Sequence, residues 1–235
     1  MTSTQRRIAL DEEEEEGSEL YLLPQAREAH STLYVRFGKR ALDLVIGVPL
    51  LVAALPAIVL LAAAVVATSG WPPFYRSRRV GLGGREFGMW KLRTMVRDAE
   101  AQIRSWRESD PSLLAEYSHN FKVRDDPRVT AFGRWLRRTS LDELPQLWNV
   151  VQGEMSLVGP RPIVADELRH YGGEAGTLLS VRPGITGMWQ LNGRGRITYP
   201  ERTVLELDCC RSLGLRRDLS ILVRTLTAPF RLDGL

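Results

Sequence analysis

Two adjacent carboxylates, Asp142 and Glu143, lie in the stretch SLDELPQLWNV. A carboxylate pair can divide the work of a nucleophile and an acid–base group, and a carboxylate oxygen can hold Mg²⁺ together with phosphates and water. The alternative is structural, because acidic residues in the first turn of a helix stabilise its N-terminus. The residues alone leave both interpretations open. The arginines that surround the pair in sequence are Arg134, Arg137, Arg138 and Arg161.

Three cations stand in distinctive local settings. Arg161 lies between Pro160 and Pro162, and the two prolines restrict the geometry of its turn. Lys91 and Arg93 flank the end of a predicted strand. Lysine and arginine bind phosphate through charge-assisted hydrogen bonds. Each of the three is therefore a candidate phosphate ligand, whereas most arginines of the chain are expected to be solvated surface cations.

Several common catalytic motifs are absent from the sequence. It contains no GxxxxGK[ST], HExxH, GxSxG or DxD, and its three histidines are far apart. The GLGG at 81–84 is too short and wrongly placed for a dinucleotide fingerprint, so it is interpreted as a turn. The neighbouring Cys209 and Cys210 are expected to stay reduced, and a structural zinc site is not expected.

The elements that must position these side chains follow from hydrophobic spacing and turn signals. A hairpin is predicted over 73–95 around the glycines at 81–84. Ser140 is predicted to be the N-cap of a helix that contains Asp142 and Glu143. The sequence also predicts loops at 183–187 and 192–195. Further helices are predicted at Asp98–Tyr117 with an interruption near Pro111, at Thr130–Thr139, around 163–171, at Tyr199–Cys210 and at Leu219–Thr227.

From Leu44 to Ala67 the chain runs for 24 residues without a charge. A bilayer core of about 30 Å needs about 20 helical residues. Pro49 and Pro56 each remove a helical hydrogen bond, and basic residues flank both ends, whereas a simple span has its basic excess on one side. This pattern favours a helix–break–helix that enters and leaves by the cytoplasmic face. An ordinary span and a buried core helix are the alternatives.

The charge of the 235-residue chain is unevenly distributed. Residues 1–37 carry eight acidic and four basic side chains, a net −4, and the remaining residues carry 28 basic and 20 acidic side chains, a net +8. We predict a disordered acidic tail over 1–30, an interfacial segment and membrane helix over 31–72, and a cytosolic catalytic domain over 73–235. The basic body suits anionic lipid headgroups, and no nucleic-acid partner is predicted.

The chain from Lys39 to Thr227 resembles the bacterial sugar transferases, the monotopic polyprenyl-phosphate phosphoglycosyl transferases. The resemblance rests on five stretches in order: KRALDLVIGVPLLVAALP, RVGLGGREFGMWKLRTM, DDPRVTAFGRWLRRTSLDELPQLWNVVQGEMSLVGPRP, VRPGITGMWQLNGR and DLSILVRT. It implies an α+β, mostly helical fold, with a re-entrant N-terminal membrane helix, a small β-hairpin and cytosolic catalytic helices. A catalytically inactive membrane-anchored scaffold of the same fold is the alternative.

The resemblance also implies a reaction. A nucleoside diphosphate sugar, by family expectation a UDP-sugar, gives its sugar-1-phosphate to a polyprenyl (undecaprenyl) phosphate at the cytoplasmic face of the inner membrane, and glycoconjugate or exopolysaccharide synthesis begins. Asp142 would be the nucleophile, Glu143 would assist it, and Mg²⁺ would bridge Asp142 and the diphosphate. The substrate-binding positions would be Lys91, Arg93, Arg137, Arg161 and Asp218, and the membrane helix would break at Pro56. A homo-oligomer is left open.

The sequence departs from the family pattern at three places. Ser77 stands where the family usually has a glutamine, and Leu55 stands where a serine often precedes the helix-breaking proline. Only ten residues separate Asp208 from Asp218, where the family commonly has twelve.

Overall fold

The computed structural model describes residues 33–110, 112–114, 123, 126–193 and 199–227. The predicted acidic tail at 1–30, the interruption at Pro111 and the second half of the 192–195 loop lie outside these residues. The described part is mostly helical with two small two-stranded sheets, which confirms the α+β class. Cys209 and Cys210 are both free and buried.

The chain begins with a π-helical turn at Tyr34–Gly38 that leads directly into the long helix α1, Lys39–Ser69. The predicted hairpin follows as β1, Phe74–Val80, and β2, Glu86–Leu92, joined by a short 3-10 turn at Leu82–Gly84. The remaining described elements are α2 Ala99–Ser109, α3 Ala131–Thr139, a 3-10 turn Leu141–Glu143, α4 Gln146–Gln152, β3 Ser156–Val158, 3-10 turns Ala165–His170 and Gly172–Glu174, α5 Ala175–Leu179, β4 Gly184–Thr186, α6 Met188–Gly193, α7 Glu201–Arg211 and α8 Leu215–Thr227.

The helix α1 runs without interruption through both of its prolines. Residues on both sides of Pro49 and Pro56 belong to this one helix, so the break predicted at Pro56 does not appear as an interruption of the helix. Each proline removes one backbone hydrogen bond of the helix. By length and composition, the segment Tyr34–Ser69 is apolar enough to cross a membrane.

One stripe of α1 packs against the rest of the protein along the whole length of the helix. Near its start, the buried Asp43 accepts hydrogen bonds of 2.9 Å from the Ser156 hydroxyl and from the Leu157 N–H. Near its end, Ala62 and Val65 join a buried cluster with β2 and α3. The opposite face exposes apolar side chains, among them Val45, Val52, Leu55, Val59 and Leu60. Both ends of α1 therefore contact the same body, and its apolar outer face is free of it.

The second sheet is a difference from the sequence prediction. The segment 183–187 was expected to be a loop, but Gly184–Thr186 is a strand that pairs in parallel with Ser156–Val158. At Gly159 the two segments approach so closely that a Cβ atom would lie 2.5 Å from the Arg182 carbonyl oxygen. Such short, glycine-rich strands carry little of the alternation by which strands are recognised in a sequence.

Candidate active site

The helix α3 places the carboxylate pair next to the end of β2. Thr130 caps α3 by accepting a 2.9 Å hydrogen bond from the Gly133 N–H, and its own N–H donates to the Thr94 carbonyl at 3.0 Å. Gly133 permits this contact, because a Cβ atom there would lie 2.0 Å from the same carbonyl oxygen. One turn later, the Arg137 Nε donates to the Thr94 hydroxyl at 2.9 Å. The residues after α3 are thereby fixed relative to Lys91 in β2.

Asp142 and Glu143 lie on the 3-10 turn Leu141–Glu143, not in the first turn of an α-helix. The predicted N-cap role of Ser140 is wrong: its side chain makes no capping hydrogen bond, and its backbone is left-handed, with φ 57°. Ser140 instead ends α3, and its N–H donates to the Arg137 carbonyl at 3.2 Å. The tight turn that follows buries the Asp142 carboxylate.

The two neighbouring carboxylates have different surroundings. The Lys91 Nζ lies 2.7 Å from the Glu143 Oε1, and the Glu143 side chain is 34% exposed. Burial would raise the pKa of Glu143, but the charge and hydrogen bond of Lys91 and the charge of Arg161 lower it overall. Asp142 is 6% exposed, and burial raises its pKa to about 6, against the opposing effects of Lys91 and Arg137 and with a contribution from Glu143. Glu143 is therefore ionised at neutral pH, whereas Asp142 changes its ionisation state near pH 6.

Among the described residues, no side chain donates a hydrogen bond to the Asp142 carboxylate. Its oxygens are thus available to a substrate or a cation. The described residues contain no cluster of three or more His, Cys, Asp or Glu side chains that could hold a metal by themselves. A Mg²⁺ ion needs no such cluster when substrate phosphates and water supply the other oxygens, so the donor set around Asp142 fits this ion.

Two of the predicted substrate-binding cations, Arg137 and Arg161, interact electrostatically with the carboxylates. Burial lowers the pKa of Arg137 overall, and the negative charge of Asp142 opposes this shift. Arg161 acts on Glu143, and its guanidinium lies 5.3 Å from the ring centre of Trp189. The structure thus places the charges of Lys91 and Arg137 near Asp142 and that of Arg161 near Glu143.

The other two predicted positions have different surroundings. The Arg93 Nη2 donates to the Ser69 carbonyl at 2.7 Å and also to the Gly70 carbonyl, so this cation lies at the C-terminus of α1. The buried Asp218 accepts 2.6 Å hydrogen bonds from the Tyr34 hydroxyl and the Lys39 Nζ. The described contacts of Arg93 and Asp218 therefore attach α1 to the body, and neither connects to the carboxylate pair.

Sequence reasoning missed Asn149, which fixes the strand that carries Lys91. Its fully buried amide accepts a 3.0 Å hydrogen bond from the Trp90 N–H and donates at 2.9 Å to the Gly88 carbonyl. These are backbone groups on the edge of β2 away from β1. The only sequence signal for a buried role of Asn149 was its place among the apolar residues of LWNVV in a short helix.

Sequence reasoning also missed a buried charged network behind Arg161. Glu206 binds the Arg202 Nε at 2.9 Å and accepts a hydrogen bond from the Tyr171 hydroxyl. Glu167 lies 3.7 Å from Arg202 and 3.8 Å from Arg79. Arg202 and Glu206 are four residues apart on α7, but Glu167 and Arg79 lie far from them in the sequence, so no local motif groups all four.

Residues 34–231 match the family model described as bacterial sugar transferase. Among curated relatives, the UDP-galactose-lipid carrier transferase of Erwinia amylovora is 41% identical over 199 residues, which cover 85% of this chain and 42% of that protein. The exopolysaccharide production protein ExoY of Sinorhizobium fredii is 40% identical over 191 residues, 81% of this chain and 84% of that protein.

A third relative is the UDP-glucose:undecaprenyl-phosphate glucose-1-phosphate transferase of Xanthomonas campestris pv. campestris. It is 38% identical over 201 residues, which cover 82% of this chain and 38% of that protein. The chain thus spans less than half the length of the Erwinia and Xanthomonas relatives, but most of the length of ExoY.

Proposed function

The chain belongs to the bacterial sugar transferase family, and on this premise we propose that it transfers a sugar-1-phosphate from a UDP-sugar to undecaprenyl phosphate. The names of two relatives specify UDP-galactose and UDP-glucose, and a third is named for exopolysaccharide production. The observation that carries the proposal is the setting of Asp142: a buried carboxylate with its pKa raised to about 6, beside the Lys91–Glu143 pair.

The first step is attack by the Asp142 carboxylate on the phosphorus that bears the sugar. A bond forms between a carboxylate oxygen and this phosphorus, the bond to the bridging oxygen breaks, and the nucleoside monophosphate leaves with the electron pair. With a pKa of about 6, Asp142 is mostly ionised at pH 7 and needs no base. An acyl phosphate keeps the phosphoryl group reactive for the second step.

The cations around Asp142 act on the phosphate charge. Arg161 supplies a guanidinium that can bind phosphate oxygens in a bidentate manner, and Arg137 adds a second positive charge near Asp142. Lys91 neutralises Glu143, so the second carboxylate does not repel the incoming diphosphate. A Mg²⁺ ion held by Asp142 and the diphosphate would further neutralise developing charge.

In the second step, an oxygen of the lipid phosphate attacks the same phosphorus. The bond to Asp142 breaks, the carboxylate is regenerated, and the product is a polyprenyl diphosphate sugar. Glu143 lies next to Asp142 and assists by positioning the substrates. Because the acceptor is a membrane lipid, this step requires the site to lie near a bilayer surface.

The packing of α1 supports a course in which both ends of this unbroken helix lie on the cytoplasmic side of the membrane. Asp43 near its start and Val65 near its end both contact the same body. A helix that crossed the bilayer would have its two ends on opposite sides and could not place both against one cytosolic body. With its apolar outer face in lipid, α1 would hold the active site at the inner membrane surface.

The test is a donor panel with the purified full chain, undecaprenyl phosphate and Mg²⁺. We expect UMP release and a lipid-linked sugar from UDP-galactose or UDP-glucose. When undecaprenol replaces undecaprenyl phosphate, UMP release should stop after the first turnover. An inactive scaffold of the same fold would release no UMP with any donor of the panel.

A further inference from the structure

Arg79, in strand β1 of the hairpin, lies on the same face as Lys91, the face that is turned toward the carboxylate pair. The register pairs Tyr75 with Lys91 and Arg79 with Phe87. Because side chains alternate across a strand, Arg79 projects from the same face as Lys91, which reaches Glu143. Tyr75 and Arg79 are four residues apart, about 13 Å along the strand. Arg79 therefore lies beside the carboxylate pair and not against it.

The turn that carries Arg161 is attached to the same end of β1. The Val80 N–H donates to the Ile163 carbonyl at 2.9 Å, two residues beyond Arg161. Burial lowers the pKa of Arg79, and the positive charge of Arg161 lowers it further. Arg161 also acts on Glu143. The Arg161 guanidinium is thus within electrostatic reach of both the carboxylate pair and Arg79.

Two neighbours orient the Arg79 side chain. Its Nε donates to the Ser77 hydroxyl at 3.2 Å, and its Nη1 lies 3.8 Å from the Glu167 Oε2. The Arg79 side chain is 18% exposed and that of Glu167 only 3%, so Arg79 stays partly accessible while two of its guanidinium nitrogens face Ser77 and Glu167. Ser77 is the residue that departs from the usual family glutamine, and here it binds Arg79.

The local charge balance favours an anion at this place. Arg79 and Arg202 form ion pairs with Glu167 and Glu206, and the charges of Arg202, Glu167 and Glu206 also act on Arg161, so these three arginines and two glutamates carry an excess of one positive charge. Among the described residues, Arg161 makes no hydrogen bond or ion pair, and its contact is the ring of Trp189. Partly buried like charges repel, and a bound anion removes the repulsion.

We propose that Arg79 and Arg161 together bind one phosphoryl group of the substrates beside the carboxylate pair. The proposal rests on the proposed function for the identity of that group, which is either the donor diphosphate or the phosphate of the lipid. Two guanidiniums offer paired N–H donors that match phosphate oxygens, and a single lysine at position 79 could not reproduce this geometry.

The test is binding without turnover. The full chain in detergent micelles is titrated with UDP and, separately, with undecaprenyl phosphate, and the thermal shift gives the half-saturating concentration. The variants are Arg79→Gln and Arg79→Lys. Arg78→Gln is the matched control, because Arg78 directly precedes Arg79, is exposed and projects from the opposite face of the hairpin.

We expect Arg79→Gln to raise the half-saturating concentration of at least one ligand about tenfold or more, in line with the loss of a charge-assisted contact. Arg79→Lys should lie in between and Arg78→Gln within about twofold of the wild type. An effect on UDP assigns the donor diphosphate, and an effect on undecaprenyl phosphate assigns the lipid.

Equal binding by Arg79→Gln and Arg78→Gln for both ligands would overturn the proposal, as would a wild type that binds neither. If Arg79→Gln does not fold, Arg79→Lys carries the same comparison, since it keeps the charge toward Glu167. A wild type that binds both ligands but forms no product would refute the proposed function and leave the phosphate site standing.

Discussion

The Lys91 Nζ contacts the Oε1 of Glu143 at 2.7 Å and not the carboxylate of Asp142. Lys91 therefore neutralises the more exposed member of the pair and leaves the buried member without a direct cation. This arrangement separates the pKa values of two adjacent carboxylates, lowering that of Glu143 and leaving that of Asp142 at about 6. The chemistry assigned to Asp142 depends on this separation.

The pH dependence of the first step should follow the ionisation of Asp142. Since the nucleophile is the carboxylate and its pKa is about 6, UMP release in a single turnover should fall below pH 6, to about a tenth of its plateau at pH 5. Lys91→Met should move the midpoint to higher pH, because the charge of Lys91 lowers the pKa of Asp142. A midpoint that stays in place in this variant would show that Lys91 does not act on Asp142.

Asp142→Asn should stabilise the folded protein at pH 8. A rise of the pKa from 3.8 to about 6 means that burying the charged form costs about 3 kcal/mol at most. The cost is fully present above pH 6, falls as the pH drops toward 4 and disappears below the unfolded-state pKa of 3.8, where the carboxyl group is protonated in both states. Denaturation of the two proteins at pH 8 and pH 4 measures this, and an equal difference at both pH values would contradict the assignment.

Asn149→Ala should destabilise the protein and reduce its activity. It leaves the Trp90 N–H and the Gly88 carbonyl without their side-chain partner, at a cost of about 2–4 kcal/mol. Gln152→Ala, an exposed position on the same helix, should change the unfolding free energy by less than about 0.5 kcal/mol. Comparable melting temperatures for the two variants would mean that Asn149 does not hold the hairpin.

Asp218→Asn should act through the attachment of α1. It removes the buried partner of Lys39, and breaking such a pair costs about 3–5 kcal/mol. Adding Lys39→Met should recover part of the loss, because no unpaired charge then remains buried. A catalytic role would give another pattern: an unchanged melting temperature, a reduced kcat, and no recovery in the double variant.

If both ends of α1 lie on the cytoplasmic side, both should be labelled from that side only. In a background with Cys209→Ser and Cys210→Ser, single cysteines are introduced at two exposed positions, by Leu33→Cys before α1 and by Thr68→Cys near its end. An impermeant maleimide should label both positions in inside-out membrane vesicles and neither in intact spheroplasts. Labelling of one position from each side would show an ordinary span.

The hairpin, α3 and the two C-terminal helices could be predicted because each has a local signal: glycines between strand-like runs, or apolar residues at helical spacing. The 3-10 turn of Asp142 could not, because the left-handed backbone of Ser140 is rare outside glycine and asparagine, and serine before an acidic pair is typical of an N-cap. The attachment role of Asp218 depends on contacts 179 residues away along the chain, which no local pattern contains.

The resemblance assigned roles to more residues of the candidate site than spacing did. From the residues alone, Asp142 and Glu143 could equally have been helix-capping acids, and the family assigned them to chemistry. Arg79 shows the opposite case, since the resemblance begins one of its stretches at this residue but assigned it no role. It became a candidate only when the register placed it on the same face as Lys91.

The most direct test of the account is the intact mass of the protein after incubation with UDP-galactose or UDP-glucose and Mg²⁺, without lipid acceptor, followed by acid quenching. We predict an increase equal to one hexose phosphate on the wild type, located on Asp142 by peptide mapping, lost on addition of undecaprenyl phosphate and absent in Asp142→Asn. An adduct that persists in Asp142→Asn, or lipid-linked product from that variant at the wild-type rate, would contradict it.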